Sequence, residues 1–243
     1  MEELVPIPER GRTYSAVRRV RLSDMDSRGR VRFDTIARYL QDVAIDDVQE
    51  TGWGMPEHLW FIRSIRIDVL VPFLEDREVE LVTWCNGVAT IAAGRRWSVI
   101  GDAGGRAEVD SVWIHLTPDE RPARIDGFDA YAEAASGRPV SRRLLLPDPP
   151  DDAERVAWQV RATDIDRHGH VNNAAYWQAV EERLTRRGAD LGAPLRVRIE
   201  YRQPIDPDDS VSLLEHDVED AFGLAFVTPA SVNSVARVEL LRG

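Results

Sequence analysis

Between Val160 and Asn173 the chain reads VRATDIDRHGHVNN, which gathers Asp164, Asp166, His168, His170, Asn172 and Asn173 in one short stretch. An imidazole can position water or take its proton near neutral pH, and an aspartate such as Asp166 can orient that imidazole or share the base role. Asparagine amides can hold a carbonyl or a water. Tyr176, Val180 and Leu184 follow at helical spacing, so a helix is expected to begin at this stretch and to stop at Gly188. The first N–H groups of a helix have no acceptor within it and lie at the positive end of its dipole. They can polarise a carbonyl and stabilise an oxyanion. Plainer uses exist for the same residues: Asp164 and Asp166 can accept bonds from loop amides, and Asn172 or Asn173 can cap the helix.

Val20 to Phe33, VRLSDMDSRGRVRF, carries nearly the same frame without the histidines. Val20/Val160, Arg21/Arg161, Asp24/Asp164, Asp26/Asp166, Gly29/Gly169 and Val31/Val171 are identical pairs. Further on, IRIDVLVPFLEDREVEL (65–81) matches VRIEYRQPIDPDDSVSL (197–213) at Arg66/Arg198, Ile67/Ile199, Pro72/Pro204 and Val79/Val211. Two matches in the same order imply a tandem duplication. The first copy has Arg28, Arg30, Arg32 and Phe33 where the second has His168, His170, Asn172 and Asn173. Shared residues such as Asp24, Asp164, Gly29 and Gly169 therefore read as turn architecture, and the residues unique to the second copy as functional candidates. Asp166 stands between, because Asp26 survives in the first copy.

Other chemistries fail on spacing. As a calcium loop, Asp-x-Asp-x-x-Gly would need a ligand at Arg28 or His168 and a glutamate at Thr35 or Ala175. His168 and His170 have few partners for zinc, with one cysteine and five histidines in the chain, so neither metal nor cofactor is expected. There is no G-x-S-x-G and no glycine-rich phosphate loop. Cys85 lies in a strand pattern and reads as core rather than nucleophile.

The elements that must position these residues are legible in outline. In the first copy Phe33, Ile36, Ala37, Leu40, Val43, Ala44 and Val48 mark an amphipathic helix, with Asp34 in its first turn and Gly52 after its end. Strands are expected after each helix: Ile65 to Val71, Glu78 to Trp84, Arg95 to Ile100 and Ser111 to Leu116, then Val197 to Tyr201, Ser210 to Glu215, Leu224 to Val227 and Ala236 to Leu240. Each half is then one long helix wrapped by an antiparallel sheet, an α+β arrangement whose two copies can pair into one continuous sheet. The expected division is 1–138, a linker at 139–152 rich in proline and aspartate, and 153–243.

The 243 residues are 43% hydrophobic and 30% charged, as in a globular protein, and no apolar run is long enough to cross a membrane. The net charge of −11 argues against nonspecific nucleic-acid binding. All 31 basic residues are arginine. The acidic start, MEELVPIPERGR, has no signal-peptide core, and the lone cysteine suits a reducing compartment, so a cytoplasmic location is expected.

The motifs resemble the acyl-acyl carrier protein thioesterases, which are tandem hotdog proteins. DIDRHGHVNNAAYW is similar to that family's D-L-D-x-N-x-H-V-N-N-x-x-Y segment, and IEYRQPI to its L-E-Y-R-R-E segment. LQDVAIDDVQETG resembles its first central helix, and TWCNGV…AAGRRWSV and DSVWIHLTPDERPARI resemble two of its strands. The resemblance implies a double hotdog that hydrolyses the thioester of a fatty acyl chain on acyl carrier protein. It implies catalytic roles for Asp166 and His170, with His168 where the family has asparagine, and with Asn172 and Asn173 at the helix start. Pro204 falls where the family has a glutamate often given the base role, beside the polar Gln203. The first half would line the acyl pocket, with Phe33, Ile36, Leu40 and, from the second half, Ala174 as substrate-binding residues. Acyl-CoA is a second substrate class, and a noncatalytic acyl-binding protein or a dehydratase are other uses of the fold. The carrier protein is acidic, so the arginines of RLTRRG (183–188) or SRR (141–143) would have to meet it. A tandem protein already contains the pair that single hotdogs form by dimerising, so a monomer or a homodimer is expected.

Overall fold

The computed structural model describes residues 4–53 and 58–241; the first three residues of the acidic N-terminal stretch lie outside them. Helix α1 spans Phe33–Glu50, a short helix α2 Ala132–Ala135, and α3 Asn173–Arg186. The strands are β1 (Thr13–Arg19), β2 (Leu59–Val71), β3 (Glu78–Val88), β4 (Ala92–Gly101), β5 (Arg106–Leu116), β6 (Glu154–Trp158), β7 (Leu195–Tyr201), β8 (Val211–Val218), β9 (Ala221–Val227) and β10 (Val232–Leu240). They form one ten-stranded sheet in the order β1-β3-β4-β5-β2-β7-β10-β9-β8-β6, with antiparallel neighbours throughout. Read outward from the middle, each half repeats the other: β2-β5-β4-β3-β1 corresponds to β7-β10-β9-β8-β6. The halves meet where Ile65 pairs with Ile199 and Ile67 with Val197.

β1 and β6 are strands that the sequence pattern did not mark. Both are edge strands with a single neighbour, and their exposed and half-buried residues never form a buried run.

Both long helices lie against the sheet and against each other. Leu40 and Val43 of α1, Val180 and Leu184 of α3, and Ile67 and Ile199 of the seam strands belong to one buried cluster that runs through both halves. Residues 136–153, which hold the expected linker, contain no helix or strand. They are nonetheless tied to both halves. Arg138 donates to the Asn86 carbonyl (2.9 Å), while the N–H groups of Leu145 and Leu146 donate to the Glu200 carboxylate (2.8 and 3.0 Å).

The two helix starts are held differently. Asn172 Oδ1 accepts the Ala174 N–H at 2.8 Å, an ordinary N-cap for α3. Arg32 cannot cap α1 in this way. Instead Glu181 of α3 accepts the Phe33 N–H (2.7 Å) and pairs with the buried Arg30, while the Gln178 amide donates to Asp34 at 3.0 Å. The second helix thus caps the first across the domain interface. Burial raises the Glu181 carboxyl, and the Arg30 charge opposes that shift.

Glu181→Ala would leave the α1 start uncapped and the buried Arg30 with Asp26 as its remaining acidic partner. An unfolding free energy lower by about 1–3 kcal/mol is expected, measured by urea titration.

Candidate active site

The two loops that lead into α1 and α3 have the same backbone. Each begins with a 3-10 turn, Leu22–Asp24 or Ala162–Asp164. Asp24 Oδ2 accepts the Arg21 N–H and Asp164 Oδ2 the Arg161 N–H, both at 2.9 Å. Asp26 Oδ1 accepts the Arg28 N–H and Asp166 Oδ1 the His168 N–H, both at 2.8 Å. Gly29 and Gly169 follow with φ of 82° and 83°, left-handed values that explain the shared glycine. The Val31 N–H then donates to Phe73 O (3.0 Å) and the Val171 N–H to Ile205 O (2.9 Å), which ties each loop to the segment after its first long strand.

On this identical frame the side chains diverge. At the first loop Arg30 turns inward to Glu181 and lies over the Phe33 ring, its guanidinium carbon 5.0 Å from the ring centroid. At the second loop a cavity of about 1260 Å³ opens. Asp166, His168, His170, Asn172 and Asn173 all line it, at the start of α3. Its other walls come largely from the first half: Ala44, Ile45 and Val48 on α1, Trp60 and Phe61 on β2, and Trp113 and Ile114 on β5.

The wall residues differ from those expected. Phe33, Ile36, Leu40 and Ala174 are buried in the shared core and do not line this cavity. Phe33 packs beneath Arg30 at the first loop, and Ile36 and Leu40 belong to the same core cluster as α3. Ala174 lies in the first turn of α3, with its N–H taken by Asn172. Nearly all of α1 has buried neighbours, so apolar spacing alone does not tell which turn faces the cavity.

His170 is half-buried, with Nδ1 2.7 Å from Asp206 Oδ1. Its Nε2 lies 3.9 Å from Glu120 Oε2, on a turn of the first half, and Glu120 is itself a cavity residue. Neither acid was among the sequence candidates. Asp206 follows Pro204 closely in the strand-end segment, and its counterpart in the first copy is Leu74. The second of the two repeat alignments therefore contained the signal, because it pairs an acid with a leucine where the first alignment pairs His170 with Arg30. Nothing near Glu120 in sequence suggested that it would meet the loop. Asp166, by contrast, bonds loop backbone as Asp26 does.

Two tyrosines floor the site. Tyr201 OH donates to Asn173 O (3.3 Å) and packs edge-on to Tyr176, and burial raises both hydroxyls. Among the described residues no three His, Cys, Asp or Glu converge as a metal site. Among the described residues, too, no helix is long and apolar enough to cross a membrane.

The model of the acyl-ACP thioesterase N-terminal domain matches residues 11–127, and that of the C-terminal domain matches residues 148–234. The chain belongs to the acyl-ACP thioesterase family. Family membership supports a thioester hydrolase. An uncharacterized protein of Mycobacterium tuberculosis is 29% identical, over 98% of this chain and 96% of its own. Oleoyl-acyl carrier protein thioesterase 1 of Arabidopsis thaliana is 25% identical, over 86% of this chain and 65% of its own. The solved acyl-ACP thioesterase of Bacteroides thetaiotaomicron shares the double hotdog fold: TM-score 0.78, 17% identity, 94% of this chain and 98% of that one covered.

Arginines line this cavity even though the chain is acidic. Arg63, Arg142, Arg143, Arg167 and Arg202 all line it. Burial lowers Arg63, and the charges of Arg202 and Arg142 lower it further. The other expected patch is engaged elsewhere: Arg183 pairs with Glu215, Arg186 with Glu182 and Arg187 with Asp217.

Cys85 is buried, with its thiol donating to Gly87 O, and burial raises its pKa. Iodoacetamide at neutral pH should leave the native protein unlabelled and label it fully in denaturant, as read by intact mass.

Proposed function

We propose that this chain hydrolyses the thioester of a fatty acyl chain carried on acyl carrier protein, by direct attack of water. The observation that carries this reading is the single cavity that joins the His170 loop and the start of α3 to an apolar wall from the other half. An acyl chain would lie along Ala44, Ile45, Val48 and Trp60, with its thioester at the loop.

In this arrangement His170 Nε2 takes a proton from water. The oxygen attacks the carbonyl carbon, and negative charge collects on the carbonyl oxygen. The start of α3 stabilises that charge: Ala174 N–H is used by Asn172, so the Asn173 N–H and the helix dipole face the oxyanion. When the tetrahedral intermediate collapses, the C–S bond breaks and the thiolate takes the proton from His170. A carboxylic acid and a thiol leave. His168 is exposed beside the mouth and Asn173 lines it, so both can position water or the thioester. Asp166 serves by holding the loop.

Arg142, Arg143 and Arg167 are exposed at the mouth and suit an acidic carrier protein. Acyl-CoA offers the same thioester and is the comparison substrate.

Release of free thiol from acyl-carrier-protein and acyl-CoA substrates tests the reaction. Wild-type protein should hydrolyse the carrier-bound substrate, and His170→Ala should slow it by about 10²–10⁴-fold with the circular dichroism spectrum unchanged. Binding without thiol release would overturn hydrolysis.

Replacing both Arg142 and Arg143 with Gln should raise KM for the carrier-bound substrate and leave kcat little changed. The difference from wild type should shrink as salt rises, because exposed charges are screened.

A further inference from the structure

We infer that Asp206 is the positioning residue of His170, and that it makes this imidazole a base on its cavity side. The inference rests on the hydrolytic reading for its catalytic consequence, and on geometry alone for the pairing.

Three observations converge. His170 Nδ1 and Asp206 Oδ1 are 2.7 Å apart, a distance at which the imidazole donates to the carboxylate. A carboxylate accepts only, so this bond places the proton on Nδ1 and the lone pair on Nε2. Nε2 then lies on the side of Glu120, 3.9 Å away, among cavity residues.

Asp206 is also fixed by its own segment. The Asp206 N–H donates to Asp209 Oδ2 (2.9 Å), and the preceding Ile205 is fully buried and accepts the Val171 N–H. The histidine loop and the aspartate segment are therefore tied to each other one residue away from the pair, on both strands of contact.

The duplicate supplies a contrast within the same molecule. The first loop has the same tie, from Val31 N–H to Phe73 O, but there the two positions hold Arg30 and Leu74. Those residues meet only through backbone, as an isolated bridge. The frame persists in both copies, while the acid and the imidazole occur together only where the cavity opens. Asp166 Oδ1 holds the loop amide, as Asp26 Oδ1 does in the copy without a histidine, and the carboxylate bonded to the His170 ring is that of Asp206.

When Nε2 accepts the water proton, the imidazolium lies between Asp206 and the developing oxyanion. Asp206 favours that charged form. When the thiolate leaves and takes the proton from Nε2, the neutral tautomer with its proton on Nδ1 is restored.

The test compares wild type with Asp206→Asn and Asp206→Glu. The first readout is NMR titration of the His170 ring, assigned with His170→Gln, and it does not depend on activity. Removing the carboxylate should move the His170 midpoint to lower pH, and Asp206→Glu should restore part of the shift. The second is the pH profile of thioester hydrolysis. Asp206→Asn should lower kcat/KM about tenfold or more. Its acidic limb should move with the NMR midpoint, whereas a merely structural loss would lower the whole profile without moving it. An unchanged His170 midpoint in Asp206→Asn overturns the inference, as does a shift produced by Glu120→Gln alone. A wild-type protein that shows the midpoint shift but releases no thiol supports the pairing and refutes hydrolysis.

Discussion

The pairing of β2 with β7 is the constraint on which the rest of the molecule depends. Six residue pairs, from Ser64 with Glu200 to Val69 with Leu195, join two half-sheets into one. Without that pairing each half would end in a long apolar strand with open hydrogen-bonding groups. With it, Ile65, Ile67, Val197 and Ile199 lie in the middle of a core that neither half completes alone. The same seam brings α3 against α1, so a loop of one half faces a wall of the other. The cavity is a product of the joint: His168 and His170 come from one copy, and His58 with most of the apolar surface from the other.

The duplicated loops separate what shapes a turn from what acts there. Asp24 and Asp164, Asp26 and Asp166, and Gly29 and Gly169 make matching bonds or dihedrals in both copies. These residues hold the backbone whether or not chemistry follows. The two copies differ in the few side chains placed on that backbone and in the space in front of them. At one loop that space is filled by Arg30, Phe33 and Glu181; at the other it is open.

Much of this was legible in the chain before its structure. Helix boundaries followed from apolar spacing and from the residues flanking it, because burial of one stripe is written locally. The strands flanking the seam were legible for the same reason. The edge strands β1 and β6 were not, since a strand with one neighbour keeps its polar residues. His170 stood out by type and position. Asp206 did not, because it is separated from His170 by 36 residues and meets it only through the tie between Val171 and Ile205. The wall of the cavity was misplaced for a similar reason. Phe33, Ile36 and Leu40 and the actual wall residues Ala44, Ile45 and Val48 lie on the same helix, and only the packing of α3 decides which of them meets open space.

Glu181 shows what a redundant copy can become. At the corresponding place on α1 stands Gln41, which borders the open cavity. Glu181 instead reaches into the closed junction, caps α1 and grips Arg30. The junction that corresponds to the open cavity is filled by this pair, which serves as a strut. In a symmetric pair of identical subunits no such conversion is available, because any residue that plugs one chamber plugs both. Covalent linkage of the two copies breaks that symmetry. It lets one junction serve as a rigid mount for the other, so that the helix behind the open loop is anchored at the closed one.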